Sequence, residues 1–188
     1  MDLNGKVALV TGGGTGVGRA IVLQLARLGA AVAVNYSKSK DEAEATANEA
    51  QGHGVRALAI QADVADESQV QRMIEQVGQR LGPVEILVNN AAFTKFTDLS
   101  DLNALSQRDW DRTFAVNVNG TLYCTRAVAP MMKAQSWGRD EFRERWKKES
   151  ALGKVLTPDD VAEAAVSLIV SMNLVSGQTI VVDGGWRM

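Results

Sequence analysis

The sequence predicts a doubly wound α/β fold, a parallel sheet with helices on both faces. Short apolar runs recur at intervals that leave room for a helix, the first run ends in a cluster of glycines, and one intervening stretch carries its apolar residues at helical spacing. Val7 to Val10 is the first strand and runs into Thr11 and three glycines. Ala31 to Val34, Val55 to Ile60 and Ile86 to Val88 are the second, third and fourth. Between the third and fourth, Val70, Met73, Ile74, Val77 and Leu81 share one helical face, with Gln69, Gln71 and Gln76 largely outside it. Strands separated by helices of this length need crossover connections, so the sheet must be parallel and covered on both sides. Toward the C-terminus Thr157 is a natural N-cap, Pro158 suits a first helical turn, and Asp159 and Asp160 complement the positive helix end. Val161, Ala164, Ala165, Leu168 and Ile169 supply that helix's apolar stripe, and Gly177 turns the chain into a last strand, Thr179 to Val182.

Composition bounds the function. A chain of 188 residues with 46% hydrophobic and 22% charged residues suits one globular domain. Its net charge of -2 and dispersed lysines and arginines offer no basic face, so nucleic acid is not an expected partner. The single cysteine, Cys124, cannot form an internal disulfide, and no apolar stretch approaches the roughly 18 residues of a membrane span. The expectation is a cytoplasmic protein with no membrane partner. Without clustered His, Cys and carboxylates, no metal site is expected.

The glycine cluster carries the first chemistry. Thr11-Gly-Gly-Gly-Thr-Gly-Val-Gly18 sits at the carboxyl end of the first strand and opens the first helix. Glycines there let the backbone turn tightly and approach a pyrophosphate, which free N–H groups and the helix dipole would hold. The spacing is not the strict dinucleotide fingerprint, since Val17 stands where counting from Gly12 needs a third glycine. The alternative reading is a plain strand-to-helix turn. Gly12, Gly14, Thr15, Gly16, Val17 and Gly18 are the candidates.

After the second strand such folds commonly place an acid on the adenosine ribose 2′-hydroxyl, yet here the chain reads Asn35-Tyr36-Ser37-Lys38. No carboxylate repels a 2′-phosphate there, and Lys38 and Lys40 could attract one. The sequence therefore leans to NADP over NAD, with solvated loop lysines as the alternative.

With Thr11 to Gly18, Asp63-Val64 after the third strand, Asn89-Asn90-Ala91-Ala92 after the fourth and Asn117 in FAVNVNG, the sequence resembles the short-chain dehydrogenase/reductase family. The resemblance runs from Lys6 to Arg139 and resumes from about Asp140 to Gly185; it departs at Ala92, where the family usually has glycine. It implies a sheet order of 3-2-1-4 continuing to further strands, and hydride transfer between a nicotinamide cofactor and a small-molecule carbonyl or alcohol. It also implies that Thr15 to Val17 meet the pyrophosphate, Asp63 and Val64 the adenine, Asn90, Ala91 and Ala92 the cofactor backbone and ribose, and that Asn117 belongs to the catalytic set. In a bland reading Asp63 caps a turn and Asn89 and Asn90 satisfy loop backbone.

The family would continue after the helix ending near Lys133 with a strand carrying a catalytic serine, a helix bearing Tyr-x-x-x-Lys and another strand. Here QSWGRDEFRERW, residues 135–146, passes from a glycine stop at Gly138 to a new charged segment with none of these. The missing piece amounts to two strand-helix units, on the order of sixty residues. The expectation is one dinucleotide-binding domain over 1–188, in parts 1–139 and 140–188 around an internal deletion, lacking two strands and one helix. Three readings stay open: a dehydrogenase or reductase whose sequence here omits a segment, a truncated relative that holds a dinucleotide without catalysing, and a non-enzymatic interaction module. The first is favoured.

Substitutes for the missing set are decoys. Tyr36 and Lys40 form a literal Tyr-x-x-x-Lys at the adenosine end, Tyr123 and Cys124 read as packed helix residues, and His53 stands in a surface turn between two glycines. Lys95 and Phe96 either line the mouth of the site or belong to a solvated loop. The resemblance implies a homo-oligomer built partly through the Asn117 helix, a state the missing segment puts in question.

Overall fold

The computed structural model describes residues 3–98, 100–101 and 103–135, and in them strands and helices alternate from the start. The order is β1 (Val7–Val10), α1 (Gly16–Arg27), β2 (Ala31–Tyr36), α2 (Lys40–Gln51), β3 (Ala57–Gln61), α3 (Glu67–Arg80) and β4 (Ile86–Val88). After β4 come α4 (Gln107–Phe114), a π-helical stretch over Ala115–Gly120, and α5 (Thr121–Gln135). All pairings are parallel, in the order β3-β2-β1-β4. The chain winds outward from β1 to β3, then returns to place β4 on the other side of β1. That reversal opens a crevice at the carboxyl ends of β1 and β4.

Alternation along each strand feeds two cores. Val7, Leu9, Ala33 and Leu58 face Val70, Met73 and Val77 of α3 and Cys124 and Val128 of α5. Ala8, Val10, Val32 and Val34 face Val22 and Ala26 of α1 and Ala43, Ala47 and Ala50 of α2. Burial on both sides is why these strands are nearly continuous apolar runs. The fold is the expected doubly wound α/β class. Among the described residues the sheet has four strands and β4 pairs only with β1; its three residues are half-buried, whereas all four of β1 are buried.

Three boundaries differ from expectation, the end of β3 by one residue at Gln61 and two others by more. Parallel pairing begins at Val32 with Ala57 and runs to Tyr36 with Gln61, so β3 starts two residues later than expected and β2 ends two later. The ladder, which needs a partner at every step, overrides the apolar pattern that suggested Val55 to Ile60. The helix expected from Thr157, the strand Thr179 to Val182 and the junction between Arg139 and Asp140 lie outside the described residues. No helix among the described residues is long and apolar enough to cross a membrane.

Helix α3 buries the stripe read from sequence: Val70, Met73, Ile74, Val77 and Leu81 are all buried. Its start is fixed by Asp66, which accepts from the Ser68 and Gln69 backbone N–H groups at 2.9 and 3.2 Å. Gln69 is not simply an outward residue. It is half-buried, donates to Asp66 Oδ2 at 2.9 Å and accepts from Asp63 N at 3.0 Å, tying the helix start to the loop before it. Hydrogen bonds from the Ser68 hydroxyl and the Gln69 amide hold the Asp66 carboxyl down at about 2, against an ordinary 3.8. A folded-state value below the unfolded one gives stability that is present above pH 3.8 and fades as pH falls toward 2. Asp66→Asn, which keeps a capping oxygen but cannot titrate, is expected to flatten the loss of stability between those two values. Urea midpoints measured across that window check it.

Candidate functional site

The crevice begins with the turn after β1. Gly12 has φ +62, and a Cβ there would press on Ala91 Cα at 3.0 Å. Gly18 stands against the same wall: a Cβ would overlap Gly12 O and sit 2.5 Å from Asn90 Nδ2. At Gly14 the neighbour is α2, with Ala43 N 3.0 Å from where a Cβ would be. The turn is therefore pressed between β4 and α2 with its rim open. Thr15, Gly16 and Val17 are exposed, Val17 at 70%.

Polar side chains from three parts of the chain hold this turn, Asn35 and Thr46 buried and Asn90 half-buried. Asn35, 1% exposed at the end of β2, accepts from Gly12 N at 3.3 Å and donates to Ala62 O at 3.0 Å. Thr46 on α2 donates to Gly14 O at 3.0 Å. Asn90 after β4 donates to Thr11 O at 2.9 Å and Gly12 O at 3.0 Å. Thr11 completes the set, its hydroxyl accepting from Asn90 N at 2.9 Å and Ala91 N at 3.0 Å while donating to Val88 O at 3.3 Å. Asn35 and Asn90 thus spend their amides on the scaffold.

The turn opens into a crevice of about 850 Å³ at the point where the strand order reverses. Every sequence-named cofactor candidate lines it: Gly12, Gly14 and Thr15 to Gly18, Asn35 to Lys38, Asp63 with Val64, and Asn90 to Ala92. The N-terminus of α1 points in without a side-chain cap and with no acid in its first turn. By contrast α3 is capped by Asp66, and α4 by Ser106 and Asp109 in a reciprocal box. Lys38 lies on the crevice wall and is exposed. Lys40, its sequence companion, instead pairs with Glu44 at 3.6 Å along α2.

Asn117 stands apart from that lining. Its side-chain oxygen accepts from Phe93 N at 2.8 Å and its amide nitrogen donates to Phe93 O at 3.1 Å, so it clamps the segment after β4 to the widened π-helical turn. Further along that segment Lys95 donates to Asp109 Oδ2 at 2.7 Å, and this bond with the Ser106 contacts holds the Asp109 carboxyl down at about 2. Phe96 lines the crevice and is 94% exposed.

Sequence reasoning missed Thr46 and Arg112. Thr46 could have been found, since it falls on the stripe of Ala43, Ala47 and Ala50 that makes α2 apolar, where a hydroxyl needs a partner. Arg112, whose guanidinium meets Asp63 Oδ2 at 2.9 Å, had no local signal. Tyr123, Cys124 and His53 are placed as read. Tyr123 packs on the α3–α5 core with the Arg126 guanidinium 5.7 Å over its ring. Cys124 is fully buried, which pushes its thiol up to about 11, and His53 is exposed. Among the described residues no group of His, Cys, Asp and Glu could hold a metal.

A parallel sheet wound both ways from β1, with a glycine turn and an uncapped helix end at the switch point, defines a Rossmann-type α/β protein with a ligand crevice. The family model described as short chain dehydrogenase matches residues 6–139, and a second, described as Enoyl-(Acyl carrier protein) reductase, matches 134–187. The chain belongs to the short-chain dehydrogenase/reductase family. It is 44% identical over 133 residues to the 3-oxoacyl-[acyl-carrier-protein] reductase FabG of Staphylococcus epidermidis, covering 71% of this chain and 53% of the relative. The match to the short-chain dehydrogenase/reductase homolog YusS of Bacillus subtilis is 50% identical over 107 residues, 57% of this chain and 98% of YusS. Among solved structures, a short chain dehydrogenase from Burkholderia cenocepacia in complex with NADP is 42% identical, with a TM-score of 0.64 over 69% of this chain and 52% of that one. A blue fluorescent protein from a metagenomic library in complex with NADPH gives the same identity and TM-score over 70% and 53%. The chain spans about half the length of the FabG relatives it matches.

Proposed function

We propose that the crevice holds NADP and that the chain belongs to an oxidoreductase that reduces a small-molecule carbonyl, or oxidises the alcohol, by hydride transfer. The observation that carries this is the uncapped N-terminus of α1 opening into the crevice beside glycines that cannot bear a side chain. A diphosphate fits there because its charge meets oriented N–H groups and a helix dipole, with no acid competing in the first turn. Lys38, on the wall after β2 where no carboxylate stands, fits a 2′-phosphate. The NADP and NADPH named for two related structures support the same ligand.

When bound, the nicotinamide supplies or takes up the hydride. This chain's own residues then seat the dinucleotide: Thr15 to Gly18 at the pyrophosphate, Tyr36 to Lys38 at the ribose phosphate, Asp63 and Val64 at the adenine, Ala91 and Ala92 along the ribose. Asn117 acts by fixing Phe93, and through it the wall after β4. The two family matches overlap at residues 134–139, which supports reading that point as the place where intervening sequence, with the serine and Tyr-x-x-x-Lys, is missing from one domain. A homo-oligomer and a small-molecule substrate follow the same reading.

Fluorescence titration tests it. NADPH is expected to bind saturably, and Lys38→Ala to weaken NADPH about tenfold while leaving NADH within about twofold. Equal loss for both nucleotides would remove the 2′-phosphate assignment, and no saturable binding would remove the cofactor site. NADPH oxidation across a panel of aldehydes and ketones separates an active reductase from a chain that binds without turnover.

A further inference from the structure

We propose that Thr46 is a positioning residue for the diphosphate: by holding the Gly14 carbonyl against α2, it aims the Thr15 N–H into the crevice. This deepens the NADP reading above and rests on it. The peptide units of the glycine turn differ in what they leave free. In the first, Thr11 O accepts from Asn90 Nδ2 at 2.9 Å and Gly12 N donates to Asn35 Oδ1 at 3.3 Å. In the second, Gly12 O accepts from Asn90 Nδ2 at 3.0 Å and Gly13 N donates to Asn35 O at 3.0 Å. Both units are closed at each end. The unit joining Gly14 to Thr15 is closed at one end: its carbonyl accepts from the Thr46 hydroxyl at 3.0 Å, and no described residue accepts from Thr15 N. A trans peptide is planar, with its C=O and N–H pointing in opposite directions. A Gly14 carbonyl drawn toward α2 therefore turns the Thr15 N–H away from α2, to the side where Thr15 is exposed and lines the crevice. The first-turn N–H groups of α1 follow at once, so this donor lengthens their row by one.

The needs of α2 itself do not account for this bond. Thr113 and Thr121 turn their hydroxyls back onto the carbonyls four residues earlier, Asp109 O at 2.8 Å and Asn117 O at 3.1 Å, the usual local partner of a helical threonine. Thr46 instead reaches a carbonyl 32 residues away. It is 1% exposed, on a helix face otherwise made of Ala43, Ala47 and Ala50, where a β-branched residue is a weaker helix former than alanine. Gly14 permits the reach by letting α2 come close, since a Cβ there would lie 3.0 Å from Ala43 N.

The test is an NMR titration of the full chain with NADPH. In the original protein the Thr15 amide proton is expected to move downfield at saturation, as an N–H does when it meets a phosphate oxygen. Thr46→Val, which nearly keeps the shape and removes the hydroxyl, is expected to weaken NADPH about tenfold and to lose that shift even at saturating nucleotide. Thr46→Ser keeps the donor, and is expected to retain the shift and to bind within about threefold of the original. Thr46→Val with unchanged affinity overturns the proposal, as does a serine variant as weak as the valine one. Weaker binding with the Thr15 shift intact overturns it too, because Thr46 would then be a brace for α2 and no more. If Thr46→Val fails to fold by circular dichroism, Thr46→Ala, which suits the alanine face, takes its place with the same two readouts. Failure of the original chain to bind NADPH overturns the cofactor reading itself, whereas normal binding with a Thr15 amide that does not respond overturns only this inference.

Discussion

Gly18→Ala is expected to abolish saturable NADPH binding and to lower the melting temperature by several degrees. The added methyl would overlap Gly12 O and lie 2.5 Å from Asn90 Nδ2, and neither neighbour can retreat freely. Gly12 is backbone held by Asn35, and the Asn90 amide is anchored on Thr11 O and Gly12 O. Relief must come from moving the turn away from β4, which breaks those bonds and displaces the first N–H groups of α1. Overpacking of this kind costs about 1–3 kcal/mol, before any effect on a ligand that needs the turn in place. Gly54→Ala is the control. That glycine has φ +82 and open space around it, far from the crevice, so the variant carries backbone strain and should lose stability without losing affinity. Fluorescence titration and thermal melts on both proteins separate the two effects, and near-normal NADPH affinity in Gly18→Ala would contradict the geometry of the turn.

Thr11→Val should cost the fold about 2–6 kcal/mol, the largest stability loss expected of a single near-isosteric change here. Volume is conserved, so the effect isolates the hydroxyl. Thr11 is 2% exposed, and its oxygen is the acceptor for both Asn90 N and Ala91 N. Valine leaves two backbone donors without that acceptor, each costing about 1–3 kcal/mol. Thr11→Ser, which keeps the oxygen and drops only the methyl, should retain most of the stability. Urea unfolding followed by circular dichroism distinguishes them; equal midpoints for the valine and serine variants would show that the hydroxyl is not the hub of the turn.

The parts of this molecule legible in sequence are those whose cause is local. Val7 to Val10 and Ile86 to Val88 are bounded to the residue because a strand of a parallel sheet covered on both faces is an unbroken apolar run, and the α3 stripe because helical spacing is written along the chain. The glycine turn was legible because tight approach of backbone to backbone demands the absence of a side chain. Roles set by partners far away were not. Asn35 reads as a loop amide beside a nucleotide, yet it is a buried strut whose partners, Gly12 and Ala62, lie 23 and 27 residues off. Gln69 reads as an outward helix residue until the loop that folds back onto it is seen. Asn117 carries its meaning through Phe93, and Arg112 through Asp63, pairings created only when α4 is brought beside the β3–α3 loop. The π-helical stretch has no composition of its own.

The struts on the glycine turn bear on how fast and at what entropic cost a ligand docks. Asn35, Thr46 and Asn90 fix Gly12 and Gly14 from β2, α2 and the β4 loop, so the order a diphosphate requires is installed when the protein folds. Little freedom remains to be surrendered on association. Such a receptor behaves as a rigid mould, and the Gly12 amide, already engaged, should exchange with deuterium slowly whether or not nucleotide is present.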